Sequence, residues 1–187
     1  MRRALTRFLP LVIGTALVGA MVHVVSVLLL PSLAQDSAVM RLGRGGAINQ
    51  MEVLQPGGGS AHEVPFADPF MQMAICRFDL GTEPVRLRIF TGDFFMSLLV
   101  MADTGRIQLG LTDKAASRRQ LDVVLATPAQ IRQLESQDLE DEPVQELRLR
   151  MNQPRGLVVV KALRPLASDG EAVTALLERA RCEPLRS

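Results

Sequence analysis

The apolar run FLPLVIGTALVGAMVHVVSVLLL, residues 8–30, decides how the rest of the chain is organised. It contains no charged residue, and as a helix it would extend about 34 Å, enough to cross a hydrocarbon core of about 30 Å. Arg2, Arg3 and Arg7 precede the run, and the first charge after it is Asp36. Because positive residues stay on the cytoplasmic side of a membrane, the sequence predicts a single-pass helix followed by a domain outside the cytoplasm.

The end of the run leaves open whether this helix is retained or removed. Ser32-Leu33-Ala34 before Gln35 is similar to the small-residue cleavage site of a signal peptide, but signal peptides have a shorter apolar region of about 7–15 residues. We therefore expect a retained anchor over residues 1–31, with a cleaved signal peptide as the alternative. Both alternatives export the same domain.

One face of the apolar run differs from the rest, because Thr15, Gly19 and His23 recur at intervals of four residues. Small residues at this spacing let two membrane helices approach closely, and an intramembrane histidine usually faces protein or water. This pattern predicts a helix-packing face. The alternative, which the sequence leaves open, is a solitary helix in which a glycine and a neutral histidine are simply tolerated.

Residues 32–67 are interpreted as a tether with short local structure, including a candidate edge strand over Ile48–Leu54, and residues 68–187 as one extracytoplasmic domain. The tether contains two glycine-rich runs, Leu42–Gly46 and Pro56–Ser60, and neither continues into the Gly-Lys-Ser/Thr of a phosphate-binding loop. Without the three leading arginines the chain has 18 basic and 20 acidic residues, and it contains no Tyr or Trp. This composition argues against nucleic acid as a partner.

The pattern of the domain predicts an α+β fold. Asp68-Pro69 predicts a helix start, and apolar and charged residues then alternate through about six strands, most of them joined by hairpins. Two late helices are predicted by capping boxes at Thr127–Gln130 and Ser168–Glu171, the second helix ending at Cys182. We expect a mainly antiparallel sheet or partly open barrel with both helices packed on it.

The two cysteines of the chain, Cys76 and Cys182, are predicted to form a disulfide. Cys76 occupies a core-facing position of a predicted strand, and Cys182 ends a helix that must pack on the sheet. Outside the cytoplasm thiols are oxidised. The alternative is a catalytic Cys76 thiolate assisted by His62, the only histidine beyond the apolar run.

Other chemistry has little support in the sequence. No His or Cys pair has metal-ligand spacing, and the acidic residues Asp138, Glu140, Asp141 and Glu142 lack the glycine and spacing of a calcium loop, so we expect no metal or cofactor. No serine lies in Gly-x-Ser-x-Gly, and this includes the candidate nucleophiles Ser60, Ser97, Ser117 and Ser136. Asp79 and Asp93 are the carboxylates considered for acid–base catalysis across neighbouring strands. The balance favours a protein that is not an enzyme.

Several segments, taken in order along the chain, resemble one family of bacterial envelope proteins. The residues that carry the likeness are His23 in the apolar run, Asp68-Pro69, Cys76–Leu80, Pro84-Val85, Gly92-Asp93, Asp103–Gly105, Ala126–Pro128 and Ala180–Cys182. Together they are similar to the short, membrane-anchored form of domain of unknown function 1254. Phe94-Phe95 departs from the family pattern, in which an aromatic stretch including tryptophan is expected.

The resemblance implies an inner-membrane protein with its C-terminal domain in the periplasm, and it carries no known activity. Longer members of the family join this domain to a second one, domain of unknown function 1214, and short members tend to have it as a separate anchored protein. The resemblance therefore implies a separately encoded companion. Two functional hypotheses follow: a non-catalytic interaction domain that works with that companion, or a periplasmic small-molecule binder or hydrolase.

Overall fold

The computed structural model describes residues 2–33, 47–54, 68–138 and 146–185. The chain divides into two units, residues 1–36 and residues 37–187. The first contains one continuous helix, α1 (Arg2–Leu33), which extends two residues beyond the predicted end of the anchor. Within it Pro10–Leu30 has a mean hydropathy of 2.3 and is long and apolar enough to cross a membrane.

The described residues of the second unit contain nine strands in two sheets. The strands are β1 (Met51–Leu54), β2 (Met71–Asp79), β3 (Val85–Phe90), β4 (Met96–Ala102), β5 (Ile107–Thr112), β6 (Gln120–Ala126), β7 (Leu147–Arg150), β8 (Arg155–Leu163) and β9 (Arg181–Pro184). The five-stranded sheet has the order β1-β2-β8-β4-β5 and is antiparallel throughout. The four-stranded sheet has the order β7-β6-β3-β9, with β6 and β7 parallel.

The two sheets share one hydrophobic core. Alternate side chains of both sheets face it, including Phe78 of β2, Leu98 of β4 and Leu87 of β3, all of which are buried. Two α-helices complete the part of the domain that the structure describes. The helix α2 (Pro128–Gln137) contacts β6 and β7, and α3 (Gly170–Glu178) contributes Val173 and Leu177 to the core. The α+β prediction is confirmed, and the sheets do not close into a barrel.

Three local predictions were wrong. The capping box expected at Ser168–Glu171 is not formed, because the helix begins at Gly170 and the Asp169 carboxylate accepts from the Leu166 amide at 3.1 Å instead. Asp68-Pro69 starts no helix, because the Asp68 carboxylate accepts a hydrogen bond from the Phe70 amide at 2.9 Å in a tight turn that leads directly into β2. The last helix ends at Glu178, so Cys182 lies in β9, where it is paired with Leu87 of β3. β9 has only four residues, two charged and one a proline, so it carries almost no periodic signal.

Candidate functional site

The disulfide that the sequence predicts is present in the structure. Cys76 of β2 and Cys182 of β9 are bonded with their Cα atoms 6.5 Å apart, and both residues are buried. Because β2 and β9 belong to different sheets, the bond connects the two layers of the domain. In this state Cys76 has no thiolate, and the histidine of the alternative hypothesis, His62, lies outside the described residues.

The residues of the predicted helix-packing face lie along α1 and are exposed. The Thr15 hydroxyl donates within its own helix, to the carbonyls of Leu11 and Val12 at 3.0 Å each. A Cβ atom at Gly19 would meet no atom within 4 Å. The surface around Gly19 and His23 is therefore open to another helix, and the packing face stays a prediction.

Asp79 and Asp93 are not brought together. Asp79 ends β2 ahead of β3 and accepts hydrogen bonds from the Gly81 amide and the Arg155 guanidinium, both at 2.9 Å. Asp93 follows β3 and pairs with Arg119 in an exposed position. The pKa of Asp79 is lowered first by the Gly81 amide and then by Arg155, against the opposite effect of partial burial. Because the two carboxylates pair with different arginines in different places, they do not form an acid–base pair.

We expect this lowered pKa of Asp79 to appear in the acid stability of the domain. A carboxyl group whose pKa falls below its ordinary value of 3.8 on folding stabilises the folded state above that pH. This stability is lost as the pH drops from 3.8 through the lower folded value. Asp79→Asn should therefore give a shallower loss of stability between pH 5 and pH 2, measured as urea midpoints. An unchanged slope in Asp79→Asn would contradict the assignment.

A charged network that sequence reasoning missed covers the outer face of the four-stranded sheet. Arg86 of β3 bonds Asp122 at 2.9 Å and Glu146 at 3.0 Å, and Arg148 of β7 bonds Glu146 at 3.2 Å and both oxygens of Asp138 at 2.6 and 2.7 Å. The pKa of Arg148 is raised, chiefly by the hydrogen bond to Asp138, and that of Asp138 is lowered by the same contact. Asp122 likewise raises the pKa of Arg86.

This network stabilises the fold and provides few groups for catalysis or ligand binding. Each arginine bonds two carboxylates, so neither guanidinium is left to bind an anionic ligand. Arg148 contacts both Asp138 and Glu146, the two described residues that flank residues 139–145, and so fixes the ends of that connection. Glu140, Asp141 and Glu142 lie outside the described residues. Among the residues that are described, no group of three or more His, Cys, Asp or Glu is placed to hold a metal ion.

Several surface grooves lie beside the two sheets. One, of about 540 Å³, lies beside β5, β6 and β7 and has both apolar and charged lining, including Leu111, Leu121, Leu147, Arg118 and Asp122. A second, of about 570 Å³, lies between β1, α3 and β9 next to Cys182. A third, of about 350 Å³, is a polar cleft along α2 lined by Gln133, Gln137 and Glu146.

Arg118, on the rim of the first groove, lies in a strained turn. Arg118 and Arg119 form the two-residue loop of a hairpin between Ser117 and Gln120, with φ angles of 51° and 61°. Positive φ at both central positions is typical of a type I′ turn, in which Asn-Gly is preferred and a side chain other than Asn or Asp is strained.

We expect the double substitution R118N/R119G to stabilise the domain by about 1 kcal/mol, because it relieves strain of about 1–3 kcal/mol per residue and restores some flexibility to the unfolded chain. Urea unfolding of the full-length protein would measure this. R118A/R119A removes the same charges but keeps the strain, and should leave stability nearly unchanged. An equal gain in both variants would show that charge, and not backbone conformation, is responsible.

No protein-family model matches the chain, and no curated protein matches it. Solved structures do resemble it. The VPA0106 protein from Vibrio parahaemolyticus has a TM-score of 0.55 at 11% identity, covering 75% of this chain and 31% of that one. An uncharacterized protein from Burkholderia cenocepacia has a TM-score of 0.41 at 12% identity, covering 62% of this chain and 31% of that one. The chain thus spans about a third of the length of both, and the likeness to the Vibrio protein shows a shared fold.

Proposed function

We propose that this protein is an envelope protein held in the inner membrane by α1, with its domain in the periplasm as a non-catalytic interaction module. The observation that carries the proposal is the disulfide between Cys76 and Cys182 in a domain that follows a charge-free helix led by arginines. A disulfide belongs to an oxidising compartment, and the leading arginines orient the helix toward it independently.

The contacts of the charged side chains support a structural role. The described carboxylates that meet arginines, such as Asp79, Asp122 and Glu146, are held in ion pairs. An acid–base catalyst needs a pKa near the working pH, whereas the pKa values of Asp79 and Asp138 are lowered by the groups that donate hydrogen bonds to them. These contacts favour a structural role for the charged side chains over a catalytic one.

A separately encoded companion is the second part of the proposal. The resemblance to domain of unknown function 1254 implies such a protein. The comparison supports it, because the matching Vibrio chain is about three times as long as the part that this fold covers. We propose that a second anchored protein corresponds to the remaining part of the longer Vibrio chain and binds to this domain as a separate subunit.

Membrane topology tests the first part directly. Alkaline phosphatase fused to the C-terminus should be active. The protein without the fusion should resist alkaline carbonate extraction and keep its mass of 20.5 kDa. R2E/R3E/R7E, which inverts the leading charge, should reduce the active fraction several-fold. A C-terminus in the cytosol would refute the proposal, and a shorter soluble product would establish the cleaved signal peptide.

Purification from native membranes in mild detergent tests the second part. One anchored protein should co-purify in a fixed ratio with the full-length chain. If no such protein co-purifies while the chain itself is present and folded, the companion is refuted. The proposal of a membrane-anchored domain would not be affected.

A small-molecule binder is the second candidate, favoured by the polar cleft along α2. Gln133 and Gln137 line it together with Glu83, and such amides suit a neutral polar ligand. A metabolite that raises the melting temperature of the wild type, and not of Q133A/Q137A, would favour this role.

A further inference from the structure

Beyond its bulge, the β5 strand forms a sheet edge that lacks the charged residues or proline of the other edges in the described sheets. Proteins blunt edge strands with charged residues or proline, because unpaired backbone groups otherwise recruit another strand. Three of the four edge strands in the described sheets follow this rule: β1 carries Glu52, β7 carries Arg148 and Arg150, and β9 carries Arg181, Glu183 and Pro184. The sequence of β5, IQLGLT, contains neither. A bulge interrupts its pairing near Gln108, and Leu109–Thr112 stay in regular register with β4.

The hydrophobic core reaches the surface beside this edge. Leu109 and Leu111 of β5 are paired with the buried Val100 and Leu98, so they face the core, yet both are only half-buried. Across the groove of about 540 Å³, Leu147 of β7 is 46% exposed. Apolar side chains at alternate positions, beside an edge with free backbone groups, have the form of a site for an added strand.

Cations lie at the rim of this edge, that is, at the two ends of β5. Arg106 precedes the strand, while Lys114 and Arg118 follow it, and Arg118 also lines the groove. None of these three forms an ion pair among the described residues. Asp103 and Asp113 lie on the same loops, and Asp122 on the wall of the groove is paired with Arg86, so the rim keeps a small net positive charge.

We propose that the β5 edge binds an extended segment of a separate protein, with alternating apolar residues along its length and carboxylates at both ends. The apolar residues would cover Leu109, Leu111 and Leu147, the backbone would pair with β5, and the carboxylates would meet the cations of the rim. Since it identifies where the companion binds, this proposal rests on the proposed function. A second copy of the chain is disfavoured, because pairing two β5 strands would bring like charges together.

A photo-crosslinking amino acid placed at Gln108, an exposed position of β5, tests the proposal in the full-length protein in native membranes. The comparison position is Glu183, which is exposed on the β9 edge. K114E/R118E reverses two rim charges. The matched control R132E/K161E reverses two cations that also form no ion pair with any described residue but lie elsewhere, on α2 and β8. Mass spectrometry identifies the crosslinked peptide.

We expect an adduct from Gln108 whose peptide is apolar with flanking Asp or Glu. Its yield should fall about ten-fold in K114E/R118E and change less than about two-fold in the control. An adduct from Glu183 alone would support a companion protein but would refute the β5 edge as its binding site. Adducts to a second copy, or adducts indifferent to the rim charges, would also refute it. Failure of any protein to crosslink or co-purify would refute the proposed function itself.

Discussion

The double substitution C76A/C182A is expected to lower the free energy of unfolding by about 4–5 kcal/mol. The bond joins residues 106 positions apart, and in the chain-entropy model a loop of that length restricts the unfolded state by about this amount. It also connects two sheets that share no strand, so its loss lets the layers separate beside β9. Urea unfolding of the full-length protein in detergent, followed by circular dichroism, would measure the change.

A reducing agent supplies the control for this prediction. It should lower the stability of the wild type by about as much as the double substitution and should leave C76A/C182A unaffected. A difference below about 1 kcal/mol between the oxidised and reduced wild type would contradict the prediction, and would mean that packing between the sheets alone holds β9 in place.

Local signals allowed much of the fold to be predicted from the sequence. The capping box at Thr127–Gln130 is formed as expected, with the Thr127 amide donating to the Gln130 side chain at 2.8 Å. The alternation around Cys76 correctly placed that residue in the core. Both signals depend on neighbours within a few positions, where backbone geometry fixes the relation between sequence and structure.

What the sequence did not reveal depends on distant partners. The arginines of β3 alternate visibly with apolar residues, but Arg86 bonds residues that lie 36 and 60 positions away. The parallel pairing of β6 with β7 follows from α2 crossing between them, and the return of β9 to β3 comes from the end of the chain. The groove beside β5 combines these long-range relations, so no local pattern indicates it.

The substitution G156A is expected to destabilise the domain by about 3 kcal/mol or more. A Cβ atom at this position of β8 would lie 2.1 Å from the Met101 carbonyl oxygen and 2.5 Å from Cζ of the Phe78 ring. Gly156 is paired with Phe78 of β2 on one side and with Ala102 of β4 on the other. The carbonyl belongs to the neighbouring strand β4, so relief requires β4 and β8 to move apart, and overpacking of this kind costs about 1–3 kcal/mol even in more adaptable sites.

Gly110 provides a matched control in the same sheet. A Cβ atom there would lie 3.4 Å from a methyl group of Leu99, an ordinary contact, so G110A should change stability by less than about 0.5 kcal/mol. Both substitutions exchange a strand glycine for alanine and share the same effect on the unfolded chain. Their difference in urea unfolding therefore isolates the steric overlap. Equal stabilities would mean that β8 does not lie between β2 and β4 in this register, and the arrangement of the five-stranded sheet would have to be revised.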